Sequence, residues 1–134
     1  MRYGIVGFGC AGYQAAKEIR SLDPKGNIKV FSEHGEAPYN PMLTTYYVSG
    51  KLKRSGAFPF GDLEKIQKEL QLEIESQTRV KHVCGETKTI ILENGKEETF
   101  DRILIATGAR AWAPPITGLD PKKAFFMRTM EDAD

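Results

Sequence analysis

Cysteine, long apolar runs and a surplus of either charge are all scarce in this 134-residue chain, and each scarcity closes off a class of protein. Cys10 and Cys84 are the two thiols. They fit no CxxC or metal-ligand spacing and are too few for a disulfide framework, so both read as reduced: Cys10 as a small buried residue, Cys84 as an inert strand-end thiol. Lys and Arg number 19 against 18 for Asp and Glu, and the resulting +1 lacks the positive field that nucleic acid or an anionic membrane would favour. The charge-free stretch from Tyr3 to Ala16 is broken by Gly4, Gly7, Gly9 and Gly12, and it is too short to span a bilayer. Neither a basic leader nor a small-residue cleavage site accompanies it, which makes a cytoplasmic protein the expectation. His34 and His82 are isolated, and no serine has a GxSxG or SxxK setting. No metal site and no acid, base or nucleophile is assigned.

The chain has instead the composition of a soluble globular domain, 40% hydrophobic and 28% charged, at a length of about one domain. Arg2 to Val6 is a short apolar run ending at Gly7, as a buried parallel strand does. Ala11, Ala15, Ala16 and Ile19 then recur at helical spacing until Ser21-Leu22-Asp23-Pro24 stops the pattern, and Ile28 to Phe31 reads as a second strand. The order is that of a βαβ unit. After a Pro-, Gly- and Tyr-rich loop with one short helix near Met42 to Val48, Asp62 can cap a helix carrying the stripe Leu63, Ile66 and Leu70, with Glu64 and Lys68 paired across one turn. Leu72 to Ile74 reads as a strand. Arg79 to Val83, Thr87 to Leu92 and Glu98 to Phe100 follow as an antiparallel meander over about residues 78–100, with Asn94-Gly95 as its hairpin turn. Ile103 to Ala106 is a further apolar strand, residues 113–118 a linker and Ala124 to Met127 a candidate last strand. The fold class is α/β, a Rossmann-like, mainly parallel sheet with a small antiparallel β-meander.

Gly7-Phe8-Gly9-Cys10-Ala11-Gly12 is a GxGxxG set between a predicted strand and a predicted helix, a context that lifts it above a string match. The first glycine permits the turn, the second lets backbone approach a pyrophosphate, and the third allows close helix-to-strand packing. The helix N-terminus offers free N–H groups and partial positive charge. Glu33 follows Gly12 by 33 − 12 = 21 residues, at the end of the second strand, where a carboxylate can accept hydrogen bonds from both ribose hydroxyls. It should repel a 2′-phosphate, but it does not separate FAD from NAD.

The order of elements, with Gly7 to Gly12, Glu33, Ala37-Pro38-Tyr39-Asn40-Pro41-Met42-Leu43, the block from Phe100 to Arg110 and Met127-Arg128-Thr129, resembles the FAD domain of the pyridine nucleotide-disulfide oxidoreductase superfamily over nearly the whole chain. Within it the sequence is most similar to the branch of NADH-dependent nitrite, rubredoxin and ferredoxin reductases and NADH oxidases. The resemblance implies that Gly7, Gly9, Ala11 and Gly12 hold the FAD pyrophosphate and Glu33 the adenosine ribose. It implies that Val80, in the strand before the meander, meets the adenine through its backbone. Ala106, Thr107 and Gly108 would pass close to the dinucleotide, and the loop Pro38 to Leu43, Pro41 included, would approach the flavin side. Arg110 would reach toward the phosphates, though it reads equally as a solvated loop arginine.

Departures from the family pattern bear on the chemistry. Met42 to Thr45 contain no thiol where disulfide-reducing relatives carry one, so no redox-active disulfide is expected. Asn40 and Pro41 are adjacent, where many members of the branch place an Arg between such positions, and Thr44-Thr45 stand where a Lys would face the flavin. One GxGxxG is present, whereas the family has a second βαβ unit for NAD(P)H. Residues 1–112 therefore read as the FAD-binding domain and 113–134 as a linker and segment leading toward an absent NAD(P)H-binding domain or subunit. The expected role is the FAD-binding portion of an NAD(P)H-dependent flavoprotein oxidoreductase with an unidentified acceptor. A redox partner protein and a homo-oligomer are the other associations the resemblance allows. Two rivals stay open: a module that senses NAD(H) or an adenine nucleotide without turnover, and a structural subunit with a vestigial nucleotide site.

Overall fold

Val6 and its neighbours in the first strand face packed protein on both sides, and the architecture follows from what covers each face. The computed structural model describes the backbone of residues 1–134 and the side chains of all but Pro121. Four strands, β1 (Arg2–Val6), β2 (Asn27–Phe31), β3 (Leu72–Glu75) and β7 (Arg102–Ile105), form a parallel sheet in the order β3-β2-β1-β7. A second, antiparallel sheet of β4 (Val80–Cys84), β5 (Thr89–Leu92) and β6 (Glu97–Thr99) is the expected meander. Helices α1 (Cys10–Leu22), α2 (Thr44–Val48) and α3 (Leu63–Leu70) lie between strands in the chain. Packing divides the chain into two units, Met1–Tyr39 with Phe60–Gly108, and Asn40–Pro59 with Ala109–Asp134. No helix among the described residues is long and apolar enough to cross a membrane.

In the first unit, alternation along the strands sorts residues between the two faces. Ile5 lies on the α1 face, its Cγ2 3.5 Å from where a Cβ at Gly12 would stand. Gly4 lies beneath the meander, where a Cβ would come within 2.9 Å of Ile90 and Phe100. Val6, Phe31, Ile90, Leu92 and Phe100 make the buried cluster between parallel sheet and meander. Asp62 caps α3 as expected, its Oδ1 accepting from Lys65 N at 2.7 Å, while the pair across one turn is Lys65 with Glu69 at 3.9 Å rather than Glu64 with Lys68. Arg20 closes the other end of that helix by donating to the carbonyls of Leu70 at 2.8 Å and Gln71 at 3.0 Å. The Asn94-Gly95 turn also forms, with Gly95 at φ +84°.

In the second unit, Asn40 N donates to Ala57 O at 2.9 Å, and Asn40 Oδ1 caps the 3-10 turn Pro41–Leu43. Thr129 and Asp132 cap one another's backbone reciprocally, at 2.7 and 3.1 Å. Ala124 to Met127, expected as a strand, is irregular. Phe125 and Phe126 are exposed, and among the described residues no strand pairs with this segment to supply ladder hydrogen bonds.

Charge binds the meander to the sheet in the first unit. Lys29 is buried on β2, and its Nζ meets Glu73 at 2.7 Å, Glu98 at 2.8 Å and Glu75 at 3.1 Å. Lys96 reaches Glu98 at 2.9 Å and Glu75 at 3.0 Å from the hairpin. Burial alone would lower the Lys29 ammonium, but hydrogen bonds to Glu73, Glu98 and Glu75 outweigh it and raise it above its ordinary value. Burial likewise works to raise Glu98 and Glu75, and the bonds from Lys29 and Lys96 hold both below the usual carboxylate range. Groups so depressed contribute stability that is complete above their unfolded pKa of about 4.3 and is lost as pH falls through the lower native values. The urea midpoint should therefore drop steeply on acidification below about pH 4.3. Lys29→Met should lower stability at neutral pH by about 2–4 kcal/mol, somewhat less than the usual loss for a broken buried pair because Lys96 still serves two of the carboxylates. Urea melts between neutral and acidic pH check both.

Candidate functional site

Residues 7 to 12 run from the end of β1 into α1 and form a cradle whose shape follows from three glycines used in three ways. Gly7 has φ +98°, and a Cβ there would lie 2.3 Å from the Ala106 carbonyl oxygen and 2.7 Å from its carbon. Both the backbone and the space demand glycine. A Cβ at Gly12 would come within 2.2 Å of the Gly7 carbonyl oxygen, so the first turn of α1 can lie this close to the strand end without a side chain between them. Gly9 differs from both. Its φ of −81° and ψ of −165° suit any residue, and a Cβ would meet no heavy atom within 4 Å. Neither strain nor packing explains a glycine there.

Gly9 N-caps α1 with no side-chain hydrogen bond, and no acidic residue stands in the first turn. The N-terminal amides of α1 are left for an incoming acceptor, with the helix dipole adding positive character. Gly9, Cys10 and Ala11 are exposed along this edge. Cys10, expected to be buried, therefore lies at the surface, because position 10 opens the helix on its solvent side; its thiol donates to the Tyr39 carbonyl at 3.3 Å. Cys84 ends β4, and hydrogen bonds from Thr87 hold its thiol below the usual range.

The end of β7 completes the cradle wall. Ala106 N donates to Val6 O at 2.7 Å, which brings Ala106, Thr107 and Gly108 beside the Gly7 turn. Glu33 stands past the end of β2, whose neighbour Gly7 donates to Phe31 O at 2.8 Å. Val80 opens β4 and so belongs to the meander rather than to a strand before it. Its partly buried side chain packs against the cluster that holds Val6, Phe31 and Leu92. Gly7, Gly9, Ala11, Gly12, Glu33, Val80, Ala106, Thr107 and Gly108 thus lie in one unit, whereas Pro41 and Arg110 belong to the other. Pro41 opens a 3-10 turn there, and Arg110 is exposed.

In the sequence Arg79 reads only as the start of a strand. Its Nη2 pairs with Glu33 Oε1 and its Nη1 lies 3.6 Å from Glu93. The separation of 46 positions between Arg79 and Glu33 hides the pair from any local pattern; only the pairing of β3 with β2 brings the two together.

Open space at Gly9, uncapped helix amides and a carboxylate past the adjoining strand fit a dinucleotide. Comparison with known proteins agrees. The family model described as pyridine nucleotide-disulphide oxidoreductase matches residues 1–134. The chain is 31% identical over 136 residues to an NADH oxidase of Methanocaldococcus jannaschii, covering 98% of this chain and 30% of that protein. It is 32% identical over 117 residues to a rubredoxin-NAD(+) reductase of Acinetobacter baylyi, covering 85% of this chain and 30% of that one. The solved structure of an NAD-dependent persulfide reductase from A. fulgidus superimposes with a TM-score of 0.89 at 27% identity, over 99% of this chain and 26% of the other. The chain spans about a third of the length of the curated relatives it matches. With a match running from the first residue to the last and a glycine turn built as that match requires, this chain belongs to the pyridine nucleotide-disulphide oxidoreductase family.

Proposed function

We propose that this chain is the FAD-binding portion of an NAD(P)H-dependent flavoprotein oxidoreductase. The observation that carries the reading is Gly9, a glycine with ordinary dihedrals and empty space at its Cβ position, which makes sense where something from outside must approach the backbone. Bound FAD supplies hydride acceptance from a reduced nicotinamide and onward electron transfer. The protein's part is to hold and orient. Gly7, Gly9, Ala11 and Gly12 would present backbone to the pyrophosphate, Glu33 would accept from the ribose hydroxyls, and Val80 would meet the adenine through its backbone. Ala106, Thr107 and Gly108 would line the dinucleotide. By the family resemblance alone, Pro41 would serve the flavin side and Arg110 the phosphates.

Both thiols are free, Cys84 sits in the meander and Cys10 in the nucleotide turn, so electrons would not pass through a disulfide of this chain. Residues 1–112 would form the FAD-binding part and 113–134 would lead toward the NAD(P)H-binding part. Relatives about three times as long support a nicotinamide site outside this sequence, in further polypeptide or a second subunit. A relative named for rubredoxin supports a protein as electron acceptor. A cytoplasmic location accords with this chemistry.

Mixed with FAD and passed over a sizing column, the chain should retain the flavin absorption bands, and NADH added alone should not bleach them rapidly, since hydride transfer needs the nicotinamide held against the flavin. Calorimetry should show NAD binding much more weakly than FAD. Tight NAD binding with no retained flavin would favour the sensor instead, and binding of neither would favour the vestigial subunit.

The glycines give a sharper test. Gly9→Val should abolish flavin retention with little change in melting temperature, because nothing in the protein opposes the new side chain. Gly12→Ala should destabilise the fold by about 2–3 kcal/mol or more through its clash with the Gly7 carbonyl. Thermal melts beside flavin retention separate the two, and a Gly9→Val variant that still held FAD would overturn the cradle assignment.

A further inference from the structure

Arg79 and Glu33 meet at the rim of the cradle in a way that backbone contacts largely predetermine. Ser32 N donates to Glu75 O at 2.9 Å and Thr78 N donates to Ser32 O at 2.9 Å, so the residue before each partner is tied to the other's segment. Glu93 N donates to Arg79 O at 3.1 Å, which fixes the far side as well. With three backbone bonds in place, the Arg79 guanidinium lies between two carboxylates, paired through Nη2 with Glu33 and 3.6 Å from Glu93 through Nη1. The bond to Glu33 engages Oε1, and among the described residues nothing else donates to that carboxylate.

Fold stability gives little reason for this arrangement. Arg79 and Glu33 are each about half exposed, and a pair between solvated side chains contributes little. What the pair does do is restrict Glu33. A free glutamate samples several rotamers, and a ligand that needs its carboxylate in one orientation must bear the cost of selecting it. A guanidinium has a rigid, planar set of donors and can fix the plane of a carboxylate while leaving Oε2 and the second lone pair of Oε1 to accept from elsewhere. A vicinal diol has two such hydroxyl donors.

We propose that Arg79 is a positioning residue for the adenosine ribose, acting through Glu33: it sets the carboxylate in advance in the orientation that accepts from the ribose hydroxyls. The proposal rests on the reading of the cradle as an FAD site and deepens it by assigning the ribose end a two-residue device. Arg79 touches the ligand only through Glu33. Glu93 holds the opposite edge of the guanidinium and keeps it from turning away. Fixing one rotamer-rich side chain in advance should be worth about three- to tenfold in affinity.

The test is a binding measurement on the full chain, with displacement of FAD fluorescence by ADP and by 2′-deoxy-ADP as probes. Arg79→Ala should weaken FAD and ADP binding about three- to tenfold while leaving 2′-deoxy-ADP much less affected, and Arg79→Lys should recover part of the loss. In a Glu33→Gln background, Arg79→Ala should have almost no further effect. A circular-dichroism melt on each variant checks that the fold is intact, and Glu93→Gln, which leaves the Arg79–Glu33 pair in place, should give a smaller loss in the same direction. Unchanged or tighter binding by Arg79→Ala, or an equal loss for ADP and its 2′-deoxy form, would overturn the proposal while leaving the FAD site standing. A wild-type chain that held neither FAD nor ADP would remove the site itself, and the proposal with it.

Discussion

The carbonyl oxygen of Gly7 occupies the space that a side chain at position 12 would need, 2.2 Å from its Cβ position, and much of the first unit is arranged around that approach. The first turn of α1 can lie against the end of β1 only if residue 12 has no side chain. Residue 7 in turn must have none, because the Ala106 carbonyl at the end of β7 lies 2.3 Å from its own Cβ position. Strand, helix and returning strand are thus locked at one corner by two absent methyl groups. The free amides of α1 are thereby held at the carboxyl end of a parallel sheet, where open α/β folds bind their ligands. Gly9 lies between the two locked glycines and is the one left open.

The opposite face of the sheet is given over to holding the meander. Lys29 lies buried on β2 and is satisfied by carboxylates from β3 and β6, while Phe31, Ile90, Leu92 and Phe100 exclude water beside it. A lysine without those partners would be expensive to bury; with them it connects a parallel sheet to an antiparallel one. This matters at the site because β4 carries Val80 and follows directly from Arg79. Tilting the meander on its sheet would move both relative to Glu33, so the ion cluster helps to keep Arg79 paired with that carboxylate.

Features decided by a few adjacent residues were legible in the sequence. The GxGxxG turn, the Asp62 cap, the Asn94-Gly95 hairpin and the apolar strands β1, β2 and β7 depend on local chemistry and appear where the residues point. Contacts between distant positions were not. Nothing near Arg79 announces Glu33, and nothing near Lys29 announces Glu98, 69 positions away, because those pairs exist only after the sheets have formed. Exposure at a helix start was also illegible: a small residue at position 10 is compatible with either face until the path of the chain past Tyr39 is known. Ala124 to Met127 misled for the opposite reason. Apolar residues in a row suit a strand, but without a neighbour to supply hydrogen bonds the run stays irregular.

If the cradle holds FAD as proposed, the placement of its charges would let it discriminate between parts of the same ligand. A carboxylate in the first turn of α1 would cap the free amides and oppose a phosphate; that turn carries none. Glu33 stands instead past the end of β2, the strand paired with β1, where on the proposed reading it would accept from a ribose attached to that phosphate. An unneutralised carboxylate within about 8–10 Å of the amides would weaken their attraction for the diphosphate, since screening by water and salt acts fully only beyond that range. Paired with Glu33, Arg79 would reduce that opposition, and the oxygens remain acceptors because a guanidinium donates without removing their lone pairs. On the proposed reading the pair would let hydrogen-bond acceptance and phosphate attraction coexist in one cradle, which a lone glutamate at this position would do less well.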